Sequence, residues 1–261
     1  MDLYTQTPEA EVLSESVESS KKVSKVHLST LKVYLYFAIA LVITGAVGML
    51  YPILIINTTG DIASVGSLAG LICGIIGIFV GSIMTVLGTK SAKGIVGTIG
   101  LLLLSIGMGL LVSPIMFLCG FEGSYVDYTI VYIAFFITAG VFVICGLLSK
   151  LLQNVSRFIQ VLSMIGIGLM ILMVVNLFMM LFNAYNSWAY FGISVAIQAL
   201  FMIYIIMYTI LDFKRISEIG KNDGFKNANG LAIMCAANLY FDFIYIFLRI
   251  LLILAALRRN N

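Results

Sequence analysis

Seven long apolar segments constrain the fold of this chain more than any other feature. We place them at about 31–57, 65–88, 95–118, 127–149, 157–182, 189–211 and 229–257. Each is long enough to cross a bilayer, which takes about 20 apolar residues. None shows the alternating pattern of a membrane β-strand. Because a helix satisfies its own backbone hydrogen bonds in lipid, the sequence predicts an all-α membrane protein with seven transmembrane helices.

The composition excludes several other classes. The chain is 61% hydrophobic and 10% charged, whereas soluble domains carry roughly 25% charged residues. No basic patch with interleaved aromatic residues is present, so we do not expect a nucleic-acid partner. Catalytic motifs such as His-Glu-x-x-His and Gly-x-Ser-x-Gly are missing, so we do not expect an enzyme.

Metal-ligating residues are sparse. The single histidine, His27, precedes the first apolar segment. The cysteines occur singly on apolar segments: Cys73, Cys119, Cys145 and Cys235. Zinc sites and disulfide frameworks need paired spacings that are absent here. We therefore expect no resident cofactor, and the cysteines are interpreted as small buried hydrophobic residues.

The polar parts of the chain suggest three regions and an orientation. Residues 1–30 are predicted to be a disordered cytoplasmic tail, 31–257 the membrane domain and 258–261 a short basic tail. Lys and Arg concentrate before the first segment and in the second, fourth and sixth loops, and the odd loops hold none. The positive-inside rule then predicts a cytoplasmic N-terminus. The host membrane is the cell membrane if the source is bacterial, or the endoplasmic reticulum or another internal membrane if it is eukaryotic.

The last segment leaves one question of topology open. Seven crossings put the C-terminus outside, yet the tail after the last segment carries Arg258 and Arg259, which the positive-inside rule would keep inside. Either the seventh helix spans the membrane despite these arginines, or it is re-entrant and the tail returns to the cytoplasm. The spanning alternative is favoured.

Glycine spacing predicts close helix packing. Small residues four apart allow the backbones of two membrane helices to approach each other. The second apolar segment carries glycines four apart at Gly70 and Gly74 and at Gly77 and Gly81, and the third carries closely spaced glycines at Gly97, Gly100 and Gly107.

Asp242, near the middle of the last segment, is the acidic residue that lies deepest in the predicted membrane domain. A carboxylate at the centre of a membrane helix costs at least ~2.5 kcal/mol to insert, and such an acid usually marks an ion or proton pathway. The alternative is an acid that is kept neutral and has only a structural role.

A second carboxyl group can reach the same region. Asp212 ends the sixth segment, and one loop joins that segment to the helix of Asp242. An antiparallel helix pair brings the two together if Asp212 enters the bundle. Two carboxylates in one low-dielectric site do not easily both ionise, so we expect the pair to titrate jointly. Such a pair can take up a proton or make a transient contact with calcium.

Three residues share the helix face of Asp242 and are candidates for supporting roles. They are Asn238, Tyr245 and Arg249, which lie four residues before, three after and seven after the acid. Arg249 can act as a counter-charge, or it can extend to the outer membrane interface.

Two stretches resemble a known family. The run Ala236–Phe247, with Asn-Leu-Tyr-Phe-Asp-Phe at its centre, resembles the signature last helix of the Bax inhibitor (transmembrane Bax-inhibitor-motif, lifeguard-like) family. The stretch Leu211–Ile216 is similar to the family's Tyr-Asp-Thr-Gln-x-Ile motif. The resemblance implies six helices around a central seventh helix. It also implies a pH-sensitive calcium leak governed by two aspartates, which map onto Asp212 and Asp242.

The chain departs from the family pattern at specific positions. Tyr245 stands where members commonly have Asn, and Phe213-Lys214 stands in place of Thr-Gln. Some members carry an arginine on the second helix that latches onto an aspartate, but the second segment here has no Lys or Arg. Arg249 and Lys214 are the candidates to replace that latch.

Taken together, these observations favour a passive calcium leak channel, with calcium ions, protons and the lipid bilayer as partners. Two alternatives stay open. One is a proton-coupled secondary transporter that uses the same acids. The other is a membrane-embedded regulator of stress or cell death that acts through protein partners.

Overall fold

The computed structural model describes residues 8–59, 68–90, 94–122, 125–126, 128–181, 188–219 and 228–259. The helices are α1 (Pro8–Thr59), α2 (Leu68–Lys90), α3 (Ile95–Gly120), α4 (Thr129–Leu151), α5 (Val155–Leu181), α6 (Trp188–Ile219) and α7 (Ala228–Arg259). Each contains a stretch that is long and apolar enough to cross a membrane. Two short strands, β1 (Phe121–Glu122) and β2 (Tyr125–Val126), pair antiparallel between α3 and α4. The predicted all-α membrane bundle is confirmed.

Helix α1 starts earlier than the sequence predicted. It begins at Pro8, so residues 8–30, which we predicted to be disordered, form helix. This stretch has four Glu and three Lys, which favour helix, and it has no glycine and no proline after Pro8, so nothing in it interrupts a helix. Proline is favoured at a first helical position. Residues 1–7 of the predicted tail lie outside the described residues.

Helix α6 runs beyond its predicted end. It continues to Ile219 rather than stopping near residue 211, because the next glycine is Gly220 and the intervening residues are helix formers. Ile216 is buried, at 1% exposure, and keeps this extension against the bundle. Asp212 therefore lies inside α6 instead of at its boundary.

Helix α7 is the central helix. It packs against α1, α2, α3, α4 and α6, and α5 packs against α6. Its buried side chains lie on several faces and are each at most 1% exposed: Ala232, Ile233, Ala236, Leu239, Tyr240, Ile246 and Leu251. A membrane helix that is buried on most of its circumference has protein on most sides. This confirms the predicted arrangement around the last helix.

The length of α7 bears on its topology. The helix is unbroken over 32 residues, or roughly 48 Å at 1.5 Å per residue. This exceeds the hydrocarbon thickness of about 30 Å. The unbroken helix therefore supports a spanning α7 over the re-entrant alternative.

Glycines bring α2 and α3 into backbone contact, as their spacing predicted. A Cβ atom added at Gly81 would lie 2.5 Å from the backbone nitrogen of Leu104. One added at Gly100 would lie 2.5 Å from the backbone nitrogen of Thr85. These atoms belong to the backbone and have no flexible side chain that could yield, so the packing requires glycine at both positions.

Gly81→Ala is expected to destabilise the bundle by about 1–3 kcal/mol, the usual cost of overpacking a well-packed contact. The matched control is Gly168→Ala on α5, where nothing lies within 4 Å of the added Cβ. Because alanine favours helix over glycine by roughly 0.5–1 kcal/mol, the control is expected to be neutral or slightly stabilised. Thermal unfolding in detergent measures both. Equal melting temperatures for the two variants would contradict the packing argument.

Candidate functional site

The structure places both Asp212 and Asp242 in the interior of the bundle. Asp212 is 3% exposed and Asp242 is 8% exposed, and the two carboxyl groups are close enough to interact electrostatically. Asp212 lies seven residues before the end of α6, and Asp242 lies fourteen residues after the start of α7. At 1.5 Å per residue, these positions are roughly 10 Å and 21 Å from the helix ends that face the α6–α7 connection.

The hydrogen bonding of the pair is incomplete. The Oδ2 atoms of Asp212 and Asp242 are both buried, and neither has a hydrogen-bond partner among the described residues. The Thr209 hydroxyl lies beside the Asp242 carboxyl group and also bonds the Ile205 carbonyl at 2.9 Å. A buried acceptor without a partner costs about 1–3 kcal/mol. A proton on either carboxyl group, or a cation bound to it, would satisfy its unpartnered oxygen.

Arg215 supplies the cation of the site. Its Nη1 atom donates a hydrogen bond to Oδ1 of Asp212 at 3.2 Å, and its side chain is 50% exposed. The guanidinium group lies 5.9 Å from the centre of the Tyr208 ring, within range of a cation–π contact. Sequence reasoning offered Arg249 and Lys214 as the replacement for the family latch and missed Arg215. The i, i+3 spacing from Asp212 is the signal that identifies it.

Two predicted supporting residues lie in a different contact. Nη1 of Arg249 donates to Oε1 of Gln198 at 3.4 Å, and its guanidinium lies 5.8 Å from the Phe201 ring. Tyr245 packs edge-on against the same Phe201 ring at 6.3 Å. The interpretation of Arg249 as the counter-charge of Asp242 is therefore wrong in this structure. Asn238 is partly buried one turn before Asp242.

An aromatic cluster adjoins the acid pair. Each aspartate is followed by a phenylalanine, and Phe213 and Phe243 both contact the Phe142 ring, at 5.8 and 5.1 Å. Phe37 stacks on the other side, 5.9 Å from Phe142. These four residues form the phenylalanine cluster, which joins α1, α4, α6 and α7. Phe213, a departure from the family pattern, thus has a packing role that sequence reasoning did not identify.

A polar network lies on the N-terminal side of Asp242. Tyr240 is fully buried, and its hydroxyl shares a hydrogen bond with the hydroxyl of Thr44. The Thr44 hydroxyl also lies 3.0 Å from the Ser105 carbonyl and 2.9 Å from the Ala40 carbonyl. The network ties α1 and α3 to α7 two residues before the acid. It satisfies a tyrosine hydroxyl that would otherwise be costly to bury.

The acid pair does not form a closed metal site. In the part of the chain that the structure describes, no group of three or more His, Cys, Asp or Glu side chains is placed to hold a metal ion. Calcium takes six to eight oxygen ligands, and two carboxylates supply at most four. The pair can therefore contact a calcium ion but cannot by itself complete its coordination.

The fold and the site together define a multi-pass membrane protein whose central helix carries an acid in the bundle core. Residues 26–260 match the family model described as inhibitor of apoptosis-promoting Bax1, which represents the Bax inhibitor family. The chain belongs to this family, so the resemblance seen in the last two helices is confirmed. Neither a curated protein nor a solved structure matches the chain. Membership supports a role as a membrane-embedded cell-death regulator or a channel-like protein.

Proposed function

We propose that the protein is a pH-sensitive calcium leak channel gated by the pair Asp212 and Asp242. The observation that carries this proposal is the burial of two carboxyl groups within electrostatic range of each other, each with one unpartnered oxygen among the described residues. A bundle gains no stability from such a pair. Protons and divalent cations are the species that would satisfy it. The proposal assigns no catalytic step and no resident cofactor, and calcium is the transported ion.

The arrangement suggests how the gate works. Arg215 is half exposed and lies nearest to the α6–α7 connection. Asp212 lies about one helical turn deeper in the bundle, and Asp242 lies deepest along the helix axes. Next to Asp242, the ring of Phe243 belongs to the phenylalanine cluster, and we infer that this cluster blocks a hydrated ion in this conformation. Gain or loss of a proton changes the charge between α6 and α7. We infer that this change alters how the two helices pack and so opens or closes the path.

We propose a cytoplasmic N-terminus because Lys and Arg concentrate before the first helix and in the even-numbered loops. Single cysteines at Gly224→Cys and Asn260→Cys, in a chain whose four native cysteines are replaced, test it with a membrane-impermeant maleimide. Position 224 is expected to react only after permeabilisation and position 260 without it. If position 260 also needs permeabilisation, the two ends of α7 lie on the same side of the membrane, and α7 does not span it.

Purified protein in calcium-loaded vesicles distinguishes the three candidate functions. A leak channel gives downhill calcium efflux that depends on pH but needs no proton gradient. A proton-coupled transporter moves calcium against its gradient when a proton gradient is imposed. A regulator that acts only through protein partners gives efflux equal to that of empty vesicles, and this result would overturn the channel proposal.

A further inference from the structure

An apolar crevice lies between α1 and α4 in the half of the bundle that holds the α3–α4 connection. Its volume is about 290 Å³. Helices α1 and α4 form its walls, and its floor consists of buried side chains of α3 and α7, among them Val112, Met116, Ile244 and Phe247. At the other end of this seam, stacking of Phe37 on Phe142 brings α1 and α4 together.

The crevice is continuous with the lipid-facing surface. Its rim residues Tyr132 and Phe136 are 52% and 72% exposed, and neighbouring Val42 on α1 is 71% exposed. The one hydroxyl at its base belongs to Thr44, which is already bonded to Tyr240 and lies within bonding distance of two carbonyls. An aqueous solute would find no partner there, whereas lipid acyl chains surround the opening.

We propose that this crevice binds one acyl chain of a membrane lipid. A dry apolar cavity of about 150 Å³ holds benzene, so this crevice has room for a longer hydrocarbon. A partner helix does not fit, because a single helical turn about 10 Å wide and 5.4 Å high already exceeds the volume. The bound chain contacts Ile244 and Phe247 on α7. The proposal is independent of calcium conduction.

The test uses the full-length protein in vesicles of phosphatidylcholine that carries a diazirine in the middle of one acyl chain. After irradiation, mass spectrometry maps the labelled residues. Lipids around the bundle reach exposed residues such as Met170 on α5, which is 70% exposed. Ile244 and Phe247 are 3% and 5% exposed, so a chain reaches them only through the crevice. Label at these two positions is the expected result, and label confined to exposed residues would overturn the proposal.

A blocking variant makes the test specific. Gly45 lines the crevice, and nothing lies within 4 Å of a Cβ added there, so a larger side chain at this position has space at its base, and Gly45→Trp is chosen to occupy the crevice. It is expected to remove the label from α7 and to keep the label on α5. Gly168→Trp on α5, also open around its Cβ, is expected to keep both. If circular dichroism shows that Gly45→Trp is unfolded, Gly45→Leu replaces it. Unchanged α7 label in a folded Gly45 variant would refute the proposal.

Discussion

Asp242→Asn is expected to yield a folded protein whose calcium leak differs from wild type and no longer responds to pH between about 6 and 8, where buried carboxyl groups can titrate. Asparagine has nearly the shape of aspartate but cannot ionise. It removes an acid that is costly to place in the membrane, so folding should not suffer. Calcium efflux from vesicles across this pH range measures the effect, and circular dichroism checks the fold.

Ser113→Ala is the matched control for this variant. Ser113 is fully buried on α3, and its hydroxyl also has no hydrogen-bond partner among the described residues. It shares the burial and the unpartnered oxygen of Asp242 but cannot change its charge. Wild-type pH dependence is expected for the control. If folded Asp242→Asn protein keeps the wild-type leak and pH response, the acid is structural, and the interpretation as a regulator with protein partners gains support.

Arg215→Gln is expected to move the midpoint of the pH response to higher pH. The arginine places a positive charge 3.2 Å from Oδ1 of Asp212, and a cation at this distance favours the charged form of a carboxyl group. Without it, the pair holds its proton to higher pH. Because the arginine side chain is half exposed, solvent screens part of the interaction, and the expected shift is roughly 1 pH unit.

Lys214→Gln is the control for Arg215→Gln. It removes the same formal charge one position earlier on α6, whereas the ion pair with Asp212 is made by Arg215. The pH midpoint of this control should stay close to wild type. Equal shifts in the two variants would show that general surface charge, and not the specific pair, sets the midpoint.

Much of the fold was predictable from the sequence because a bilayer permits few structures. Continuous apolar segments of membrane-spanning length can form little other than helices in lipid, and each predicted segment overlaps one observed helix. The placement of Asp212 and Asp242 within electrostatic range of each other was also predictable, since adjacent helices joined by one loop run antiparallel. Glycine spacing indicated the close packing at Gly81 and Gly100, because only a residue without Cβ permits that approach.

Other parts of the site depend on helix rotation, which hydropathy does not determine. All sides of a membrane helix are apolar, so the pattern does not reveal which face meets which neighbour. This is why the sequence offers Arg249 both as a counter-charge of Asp242 and as a residue of the outer interface, whereas the structure shows it in contact with Gln198 on α6. Arg215 was missed because α6 was ended too early, near residue 211. The phenylalanine cluster and the acyl-chain crevice arise from four helices at once and leave no local signal.

The proposed gate requires that Asp212 and Asp242 act as one titrating unit that controls calcium leak. Calcium efflux against pH is the decisive measurement, made for Asp212→Asn, Asp242→Asn and the double variant. Coupled groups are not additive. Each single variant is therefore expected to flatten the pH response, and the double variant is expected to add little. Independent effects that sum in the double variant, or a wild-type pH response in all three folded variants, would show that the two acids do not form such a unit.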